Sequence, residues 1–247
     1  DQIESIKSAS RIYITACGTS WHAGLIGKHL IEYYARIPVH VEYASEFRYR
    51  NAIIDNDTVL LAISQSGETA DTLAALDLCK KNNVKTCAIV NVVESSIARH
   101  ADLVLPIHSG PEIGVASTKA FLGQLLVLYI LSLKISESRN EISNVEFIKK
   151  INALKRLPDL IKETLKCQDK IQVIAKDFVK SRGAIFLGRG SSYPIALEGS
   201  LKLKELSYLH AEGYPAGEMK HGPLALIEEG LPVVILAPKD KYFEKTI

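Results

Sequence analysis

Two spacings of hydrophobic positions alternate along the first 140 residues. Short runs rich in apolar and β-branched residues predict strands, and these runs lie at 11–16, 39–43, 58–63, 85–90 and 103–107. Between them, apolar residues recur every three or four positions, which predicts helices at 21–34, 69–81 and 117–135. Strands that alternate with helices indicate an α/β fold whose parallel sheet is covered by helices on both faces.

The pattern changes between residues 136 and 182. This segment is rich in charges, has apolar residues at helical spacing and lacks a strand pattern. We therefore expect two helices that connect two sheet domains, with a break at Pro158. A new strand is predicted at 184–187.

The sequence also repeats at a separation of 172 positions (190 against 18). Residues 18–20 (GTS) correspond to 190–192 (GSS), and the strand at 58–63 corresponds to an apolar run at 230–235. Several matches at one separation indicate a tandem duplication. The first copy has five predicted strands and the second has three, so we expect the second sheet to be truncated and to continue beyond Ile247. The predicted parts are a first α/β domain at 1–140, a helical connection at 141–182 and the N-terminal part of a second α/β domain at 183–247.

The composition excludes several classes of protein. With 47% hydrophobic and 23% charged residues, the chain can bury sizeable cores, which excludes intrinsic disorder. A formal net charge of +2 provides no driving force for binding a polyanion, so we expect neither nucleic acid nor a membrane as a partner. The longest apolar run, at 125–133, is far shorter than the roughly 20 residues of a membrane span and predicts a buried helix. The four cysteines are far apart, which argues against a zinc site or a disulfide framework and fits a reducing cytosol.

Two turns that directly follow predicted strands are candidates for an anion site. They lie at 17–20 and 64–69, and each combines a glycine with hydroxyl side chains at the start of a helix. Backbone N–H groups and the helix dipole favour an anion there. Neither turn contains Lys or Arg, so hydrogen bonds rather than ion pairs would hold the anion, which suits a sugar monophosphate better than a nucleotide. The hydroxyl groups that would complete this cradle belong to Ser20, Ser64, Ser66 and Thr69. The alternative is that these residues are ordinary helix N-caps.

The second copy carries a different set of ionisable residues. Glu198, Lys202 and Glu205 lie at i, i+4 and i+7 of one predicted helix, so they share a face. The flanking residues are mostly apolar, which makes Glu205 a candidate general base and Lys202 its partner. The alternative is a solvated stripe of ion pairs. Residues 210–223 are dense in turn formers and ionisable groups, so we expect a loop, in which His221 is a further candidate.

Five strings of this sequence resemble the isomerase half of the glutamine–fructose-6-phosphate aminotransferases, also called glucosamine-6-phosphate synthases. The strings are ACGTSWHAG (16–24), SQSGETADT (64–72), EIGVASTKAF (112–121), FLGRGSSYPIALEGSLKLKE (186–205) and HAEGYPAGEMKHGP (210–223). The likeness extends over the chain from about residue 11 onward. It implies two sugar-isomerase (SIS) domains of flavodoxin-like topology, of which the first carries the cradle and the second is truncated at its C-terminal side.

The resemblance also implies a reaction and a set of site residues. Members of the family convert fructose 6-phosphate and ammonia from glutamine into glucosamine 6-phosphate, the first step of amino-sugar synthesis. The positions that match phosphate-binding residues are Thr19, Ser20, Ser64, Gln65, Ser66 and Thr69, with Cys17 and Gly18 in the first of the two turns. Val115 and Ser117 match the loop beside the sugar.

Catalytic roles follow from the same resemblance. Glu205 matches the base that moves a proton between C1 and C2, and Lys202 matches its helper. His221 matches a histidine linked to opening of the sugar ring, which the family takes from the neighbouring subunit. We therefore expect a cytoplasmic homodimer that needs neither a metal nor an organic cofactor.

Two parts of the family pattern have no match in this sequence. One is the glutaminase domain with its N-terminal cysteine nucleophile, since Cys17 matches the CGTS turn instead. The other is a C-terminal tail, whose lysine forms a Schiff base with the open-chain ketose. We therefore expect these 247 residues alone to be unable to use glutamine and to turn over poorly.

Two other functions share the same cradle. One is a simple phosphosugar isomerase or deaminase, and the other is a non-catalytic regulator that binds a sugar phosphate. The strings LEGSLKLKE and AEGYPAGEMKHGP favour the synthase. The cradle alone does not separate the three functions.

Overall fold

A computed structural model describes residues 3–247, apart from the side chains of Glu4 and Ser5. By its backbone contacts the chain divides into two compact units, which meet between Ile148 and Lys149. Each unit is built on a parallel sheet.

The described part of the first unit contains a five-stranded sheet. Its strands are β1 (Arg11–Ala16), β2 (Val39–Tyr43), β3 (Thr58–Ser64), β4 (Lys85–Val90) and β5 (Leu103–Pro106). Its helices are α1 (Glu4–Lys7), α2 (Gly18–Tyr34), α3 (Ala44–Phe47), α4 (Ala70–Lys81), α5 (Ser96–His100) and α6 (Lys119–Ser138), and α7 (Asn144–Leu154) runs across the boundary between the units. The sheet order β2-β1-β3-β4-β5 is flavodoxin-like, which confirms the predicted α/β fold.

This strand order places a topological switch point between β1 and β3. The chain leaves β1 for β2 on one side and then returns to the other side of β1 to form β3. β1 and β3 are parallel neighbours, with Thr15 opposite Ala62, so the turns after both strands lie at the same edge of the sheet. In open α/β sheets this edge is where ligands bind.

The long apolar helix α6 belongs to the core of the first unit. Leu128 of α6 lies so close to Gly27 of α2 that a Cβ on Gly27 would come within 2.8 Å of it. Near the end of α6, the Ser136 hydroxyl donates a hydrogen bond to the Tyr34 carbonyl oxygen (2.6 Å). Among the described residues α6 alone is long and apolar enough to cross a membrane, but half of its most apolar window is buried inside the protein. The predicted buried helix is confirmed.

The second unit repeats the start of the first. Its elements are α8 (Leu157–Leu165), α9 (Gln168–Phe178), β6 (Gly183–Gly188), α10 (Ser192–Ser207), β7 (His210–Pro215) and β8 (Val233–Leu236). The described sheet has the order β7-β6-β8, the same as β2-β1-β3, and β6 begins 172 residues after β1 (183 against 11). The predicted repeat is therefore confirmed in the secondary structure, whereas the division at 140 and 182 stays a prediction.

Two predictions of local structure are wrong. Residues 144–178 form α7, α8 and α9 rather than two helices. Pro158 does mark a break, because it stands in the first turn of α8. Backbone N–H groups in the first turn have no hydrogen-bond partner within the helix, so a proline there removes no hydrogen bond. Residues 210–215 form β7, which pairs with β6, although we expected a loop there. The short helices α3 and α5 were not predicted, since four or five residues show no helical period.

The four cysteines differ in exposure and are all free thiols. Cys79 and Cys87 are buried, and burial raises the pKa of Cys79 to about 12 and that of Cys87 further still. Because the thiolate is the reactive form, we expect both to react with Ellman's reagent roughly a hundred-fold or more slowly than the exposed Cys167. Titration of the native and the urea-unfolded protein checks this. Rapid reaction of all four thiols in the native protein would contradict it.

Candidate functional site

The first candidate turn links β1 to α2. Gly18 adopts the left-handed region (φ +53°), which lets the chain turn sharply from the strand into the helix. Ser20 lies buried in the first turn of α2, and its hydroxyl oxygen accepts a hydrogen bond from Gln124 Nε2 of α6 (2.9 Å). Cys17 and Thr19 are partly buried beside it.

The second candidate turn links β3 to α4. Ser64 is buried at the end of β3, and its Oγ accepts a hydrogen bond from the Gly67 N–H (3.0 Å) and lies 3.0 Å from Thr69 Oγ1. Ser66 is exposed, and its Oγ accepts from the Glu68 N–H (3.2 Å). The predicted hydroxyl groups of this turn therefore lie close together, at the sheet edge that they share with the first turn.

The hydroxyl groups of both turns do not act as helix N-caps. α2 begins after Cys17 and α4 after Thr69, and neither of these side chains accepts a hydrogen bond from its helix. The first N–H groups of a helix have no partner within the helix and attract an anion. The side chains at the two N-cap positions therefore do not cap these helices, and the anion site stays a prediction.

Helix α5 holds the second turn in place. The Ile97 N–H donates to the Gly67 carbonyl oxygen (3.0 Å), and the Ser96 N–H donates to Glu68 Oε1 (2.7 Å). This backbone hydrogen bond keeps the pKa of Glu68 below its usual value. Gly67 has φ +67°, and a Cβ there would lie 1.9 Å from Ser95 Oγ, so only glycine fits. Glu68, the only charged residue of the two turns, is thus engaged with α5.

Asn91 connects the second turn to the loop after β5. Its N–H donates to the Gln65 carbonyl oxygen (3.1 Å). Its side chain donates to the Gly110 carbonyl oxygen (2.7 Å) and accepts from the Ser109 N–H (2.9 Å). The loop that carries Val115 and Ser117 therefore starts next to the cradle.

Glu112 fixes the other end of that loop at the start of α6. Its Oε1 accepts hydrogen bonds from the N–H groups of Thr118 (2.9 Å) and Ala120 (3.4 Å). Burial favours the protonated acid, but these hydrogen bonds outweigh it and hold the pKa of Glu112 below its usual value. Between the two anchors, Ser117 is partly buried and Val115 is fully exposed at the surface of the described chain.

The second unit holds the ionisable cluster on α10. Lys202 Nζ lies 3.2 Å from Glu198 Oε1 and 2.6 Å from Glu205 Oε2. Only 7% of the Glu198 side chain, 19% of Lys202 and 30% of Glu205 is exposed. A solvated ion pair of this chain, Glu163 with Lys166, is 66% and 69% exposed. The alternative of a solvated stripe is wrong, and the cluster resembles the charged groups that enzymes hold in partly dry sites.

His221 stands apart from this cluster. It is exposed at the end of a 3₁₀ helix, Ala216–His221, and in the described part of the chain no hydrogen bond or ion pair joins it to Lys202 or Glu205. The structure brings Lys202 and Glu205 together but does not place His221 with them.

Four residues that contribute to the cradle escaped sequence reasoning: Gln124, Glu68, Asn91 and Glu112. Gln124 borders an otherwise apolar helical run, and Asn91 follows β4 directly, as the cradle residues follow β1 and β3. A polar residue beside an apolar helical run, and one directly after a strand, are the sequence signals that could have identified Gln124 and Asn91. The contact of Glu68 is with Ser96, 28 positions away, and Glu112 folds back within its own loop onto the start of α6. Neither contact has a signal in the spacing of the sequence.

Each unit offers its own chemical capability. The cradle offers hydroxyl and backbone N–H donors, and neither of its two turns contains Lys or Arg, which suits a single phosphate group. The α10 cluster pairs a carboxylate with an ammonium group at 2.6 Å, which suits proton transfer.

Comparison with known proteins shows which family this chain resembles. The model of the SIS domain matches residues 5–134 and 177–246. A glutamine–fructose-6-phosphate aminotransferase [isomerizing] from Bacteroides thetaiotaomicron is 54% identical over all 247 residues, and the chain spans 40% of its length. The C-terminal domain of glucosamine-fructose-6-phosphate aminotransferase from Francisella tularensis is 46% identical, with a TM-score of 0.96 over 99% of this chain and 69% of that one.

A more distant structure shows how widely the fold is used. A putative phosphosugar isomerase from Clostridium difficile is 24% identical, with a TM-score of 0.89 over 99% of this chain and 71% of that one. At this identity the likeness shows the fold alone. The higher identities above place the sequence more narrowly: the chain belongs to the SIS domain family, in the group of the glutamine–fructose-6-phosphate aminotransferases.

Proposed function

We propose that this chain is the isomerase part of an enzyme that makes glucosamine 6-phosphate from fructose 6-phosphate and ammonia derived from glutamine. The observation that carries the proposal is the half-buried Lys202–Glu205 pair on α10, in a chain that also holds a hydroxyl-rich cradle without Lys or Arg in its turns at a β1/β3 switch point. The identity to aminotransferases of this name supports it. The chain spans 40% of the length of that relative, so the complete reaction needs parts that these residues do not include.

The cradle binds the phosphate group of the sugar. Its side-chain donors are Thr19, Ser20, Ser64, Gln65, Ser66 and Thr69, while Cys17 and Gly18 shape the first turn. Val115 and Ser117 lie on the loop beside the sugar. Neither of the cradle's two turns contains Lys or Arg, so hydrogen bonds rather than ion pairs hold the phosphate.

Glu205 is the base that transfers the proton. It takes a proton from C1 of the open-chain sugar and returns it to C2, which converts a ketose framework into an aldose. Lys202 holds the carboxylate in place at 2.6 Å. His221 assists ring opening in the site of a second copy, so the proposal includes a homodimer in which His221 of one subunit serves the other.

The remaining features follow from the same assignment. A glutaminase part of the longer protein supplies the ammonia, the reaction takes place in the cytoplasm, and no cofactor takes part. The chain divides into a first SIS domain at 1–140, a helical connection at 141–182 and the start of a second SIS domain at 183–247.

A thermal-shift titration tests the cradle directly. Glucosamine 6-phosphate at about a hundred times its Kd is expected to stabilise the protein by roughly 2.7 kcal/mol, a rise in Tm of about 5–10 °C. The fluorescence of Trp21, the only tryptophan, reports the melting because Trp21 stacks on Tyr43 next to the cradle (ring centroids 4.0 Å apart). Glucosamine without phosphate is expected to give no rise.

Two serine variants sharpen this test. Ser66→Ala removes an exposed cradle hydroxyl and is expected to reduce the shift. Ser143→Ala removes a hydroxyl that accepts a similar local hydrogen bond, from the Glu146 N–H, far from the cradle in sequence, and is expected to leave the shift unchanged. A cooperative melt of the wild type with no shift would contradict the proposed function.

A further inference from the structure

We propose that Gln124 is a positioning residue that directs the Ser20 hydroxyl toward the phosphate of the ligand. The inference rests on the proposed function, because it assumes that Ser20 belongs to a phosphate site. It assigns a role to a side chain of α6, a helix that otherwise packs in the apolar core.

The contact between the two residues is buried and specific. Gln124 is 0% exposed, and its Nε2 donates a hydrogen bond of 2.9 Å to Ser20 Oγ. The residues are 104 positions apart in sequence, so the packing of α6 on α2 brings them together. Gln124 lies one helical turn before Leu128, which packs against Gly27 and fixes the spacing of the two helices.

The direction of this hydrogen bond determines what Ser20 can offer a ligand. A serine hydroxyl has one proton and two lone pairs. Because Ser20 accepts from Gln124, a lone pair is occupied and the O–H proton stays available as a donor. A phosphate oxygen needs a donor, so Gln124 leaves Ser20 in the state that binds the anion.

Three other helical serines of this chain show what happens without such a partner. Their hydroxyl groups donate to backbone carbonyl oxygens three or four residues earlier, as in Ser132 to Tyr129 (2.7 Å), Ser200 to Leu197 (2.8 Å) and Ser207 to Leu203 (2.6 Å). This local bond is the usual competitor for a serine in a helix. Within residues 3–247 Ser20 makes no bond of this kind and has the Gln124 contact instead.

The buried amide has no evident structural purpose of its own. Gln124 Oε1 has no hydrogen-bond partner among the described residues, so the bond to Ser20 is the one hydrogen bond that the side chain makes there. An apolar side chain would fill this position without leaving a buried oxygen unsatisfied. Polar groups that break the rules of a core in this way are expected at functional sites.

A double-mutant cycle tests the inference. Gln124→Met keeps the size of the side chain and removes the donor, so we expect the protein to stay folded and its Kd for glucosamine 6-phosphate to rise about ten-fold. In the Ser20→Ala background the same substitution is expected to change Kd no further, because Gln124 acts through Ser20. The Kd values come from quenching of Trp21 fluorescence, with Tm measured in parallel.

Ser136→Ala is the matched control. It removes another hydrogen bond between α6 and α2, a partly buried one to the Tyr34 carbonyl oxygen, at the opposite end of α2 from the cradle. We expect a lower Tm and an unchanged Kd. A merely structural role of Gln124 would give the same pattern as this control.

Three outcomes overturn the inference. One is a wild-type Kd in Gln124→Met, and another is an equal loss of affinity in the Ser20→Ala background. If Gln124→Met does not fold, Gln124→Glu has the same shape with an acceptor in place of the donor, and an unchanged Kd in that variant overturns the inference too. Failure of the wild type to bind glucosamine 6-phosphate is a separate result, which overturns the proposed function itself.

Discussion

Glu205→Gln is expected to lower the rate of sugar isomerisation by about 10²–10⁴-fold, the usual contribution of a general base. The amide has nearly the shape of the carboxylate but cannot accept the proton from C1. Lys202 retains Glu198 at 3.2 Å, so the substitution does not leave the half-buried ammonium group without a counter-charge, and the fold is expected to persist. The rate is measured in the complete enzyme of the proposed function, as exchange of solvent hydrogen into the sugar phosphate.

A measurement of ligand binding distinguishes the loss of the catalytic base from damage to the binding site. Glucosamine 6-phosphate is expected to bind Glu205→Gln with a Kd within about two-fold of the wild type, since the substitution removes an interaction of the transition state rather than of the bound sugar. Glu137→Gln is the matched control, because Glu137 pairs with Lys134 of α6 at the same i, i+3 spacing (2.8 Å). Its isomerisation rate is expected to be unchanged. An unaltered rate in Glu205→Gln would exclude the base role and favour a non-catalytic sugar-phosphate regulator.

The elements of the sheet were predictable because their signals are local. β3 is buried along its whole length and appears in the sequence as a continuous apolar run, which is typical of the centre of a parallel sheet. The repeat at 172 positions added a second line of evidence, since a turn and a strand recur together. The two cradle turns were predicted because each directly follows a strand and combines a glycine with hydroxyl side chains.

The missed elements are those that tertiary structure decides. β7 contains Gly213 and Pro215, which are poor strand formers, yet pairing with β6 makes it a strand. Gly213 also lets the backbone of Leu197 in α10 approach closely, since a Cβ there would lie 2.9 Å from it. Gln124 became a candidate only when α6 was seen to pack on α2, because its partner is 104 positions away.

Gly67→Ala is expected to disrupt the second turn of the cradle more than any single loss of a hydroxyl. Gly67 has φ +67°, which costs an alanine roughly 1–2 kcal/mol. Its new Cβ would also lie 1.9 Å from Oγ and 2.4 Å from Cβ of Ser95, so the turn or the start of α5 must move. We expect a total destabilisation of roughly 3 kcal/mol or more, a fall in Tm of about 6–12 °C, together with loss of glucosamine 6-phosphate binding. Trp21 fluorescence measures both.

Gly18→Ala separates the backbone effect from the clash. Gly18 also has a positive φ (+53°), but nothing lies within 4 Å of the Cβ that the substitution adds, so only the backbone cost of roughly 1–2 kcal/mol is expected. Ser95→Gly removes the clashing atoms and, as a helix N-cap, costs α5 only a few tenths of a kcal/mol. We therefore expect Gly67→Ala combined with Ser95→Gly to recover most of the Tm and part of the binding. Equal losses in Gly67→Ala and Gly18→Ala, or no recovery in the double variant, would show that the packing of the turn against α5 does not hold the cradle in shape.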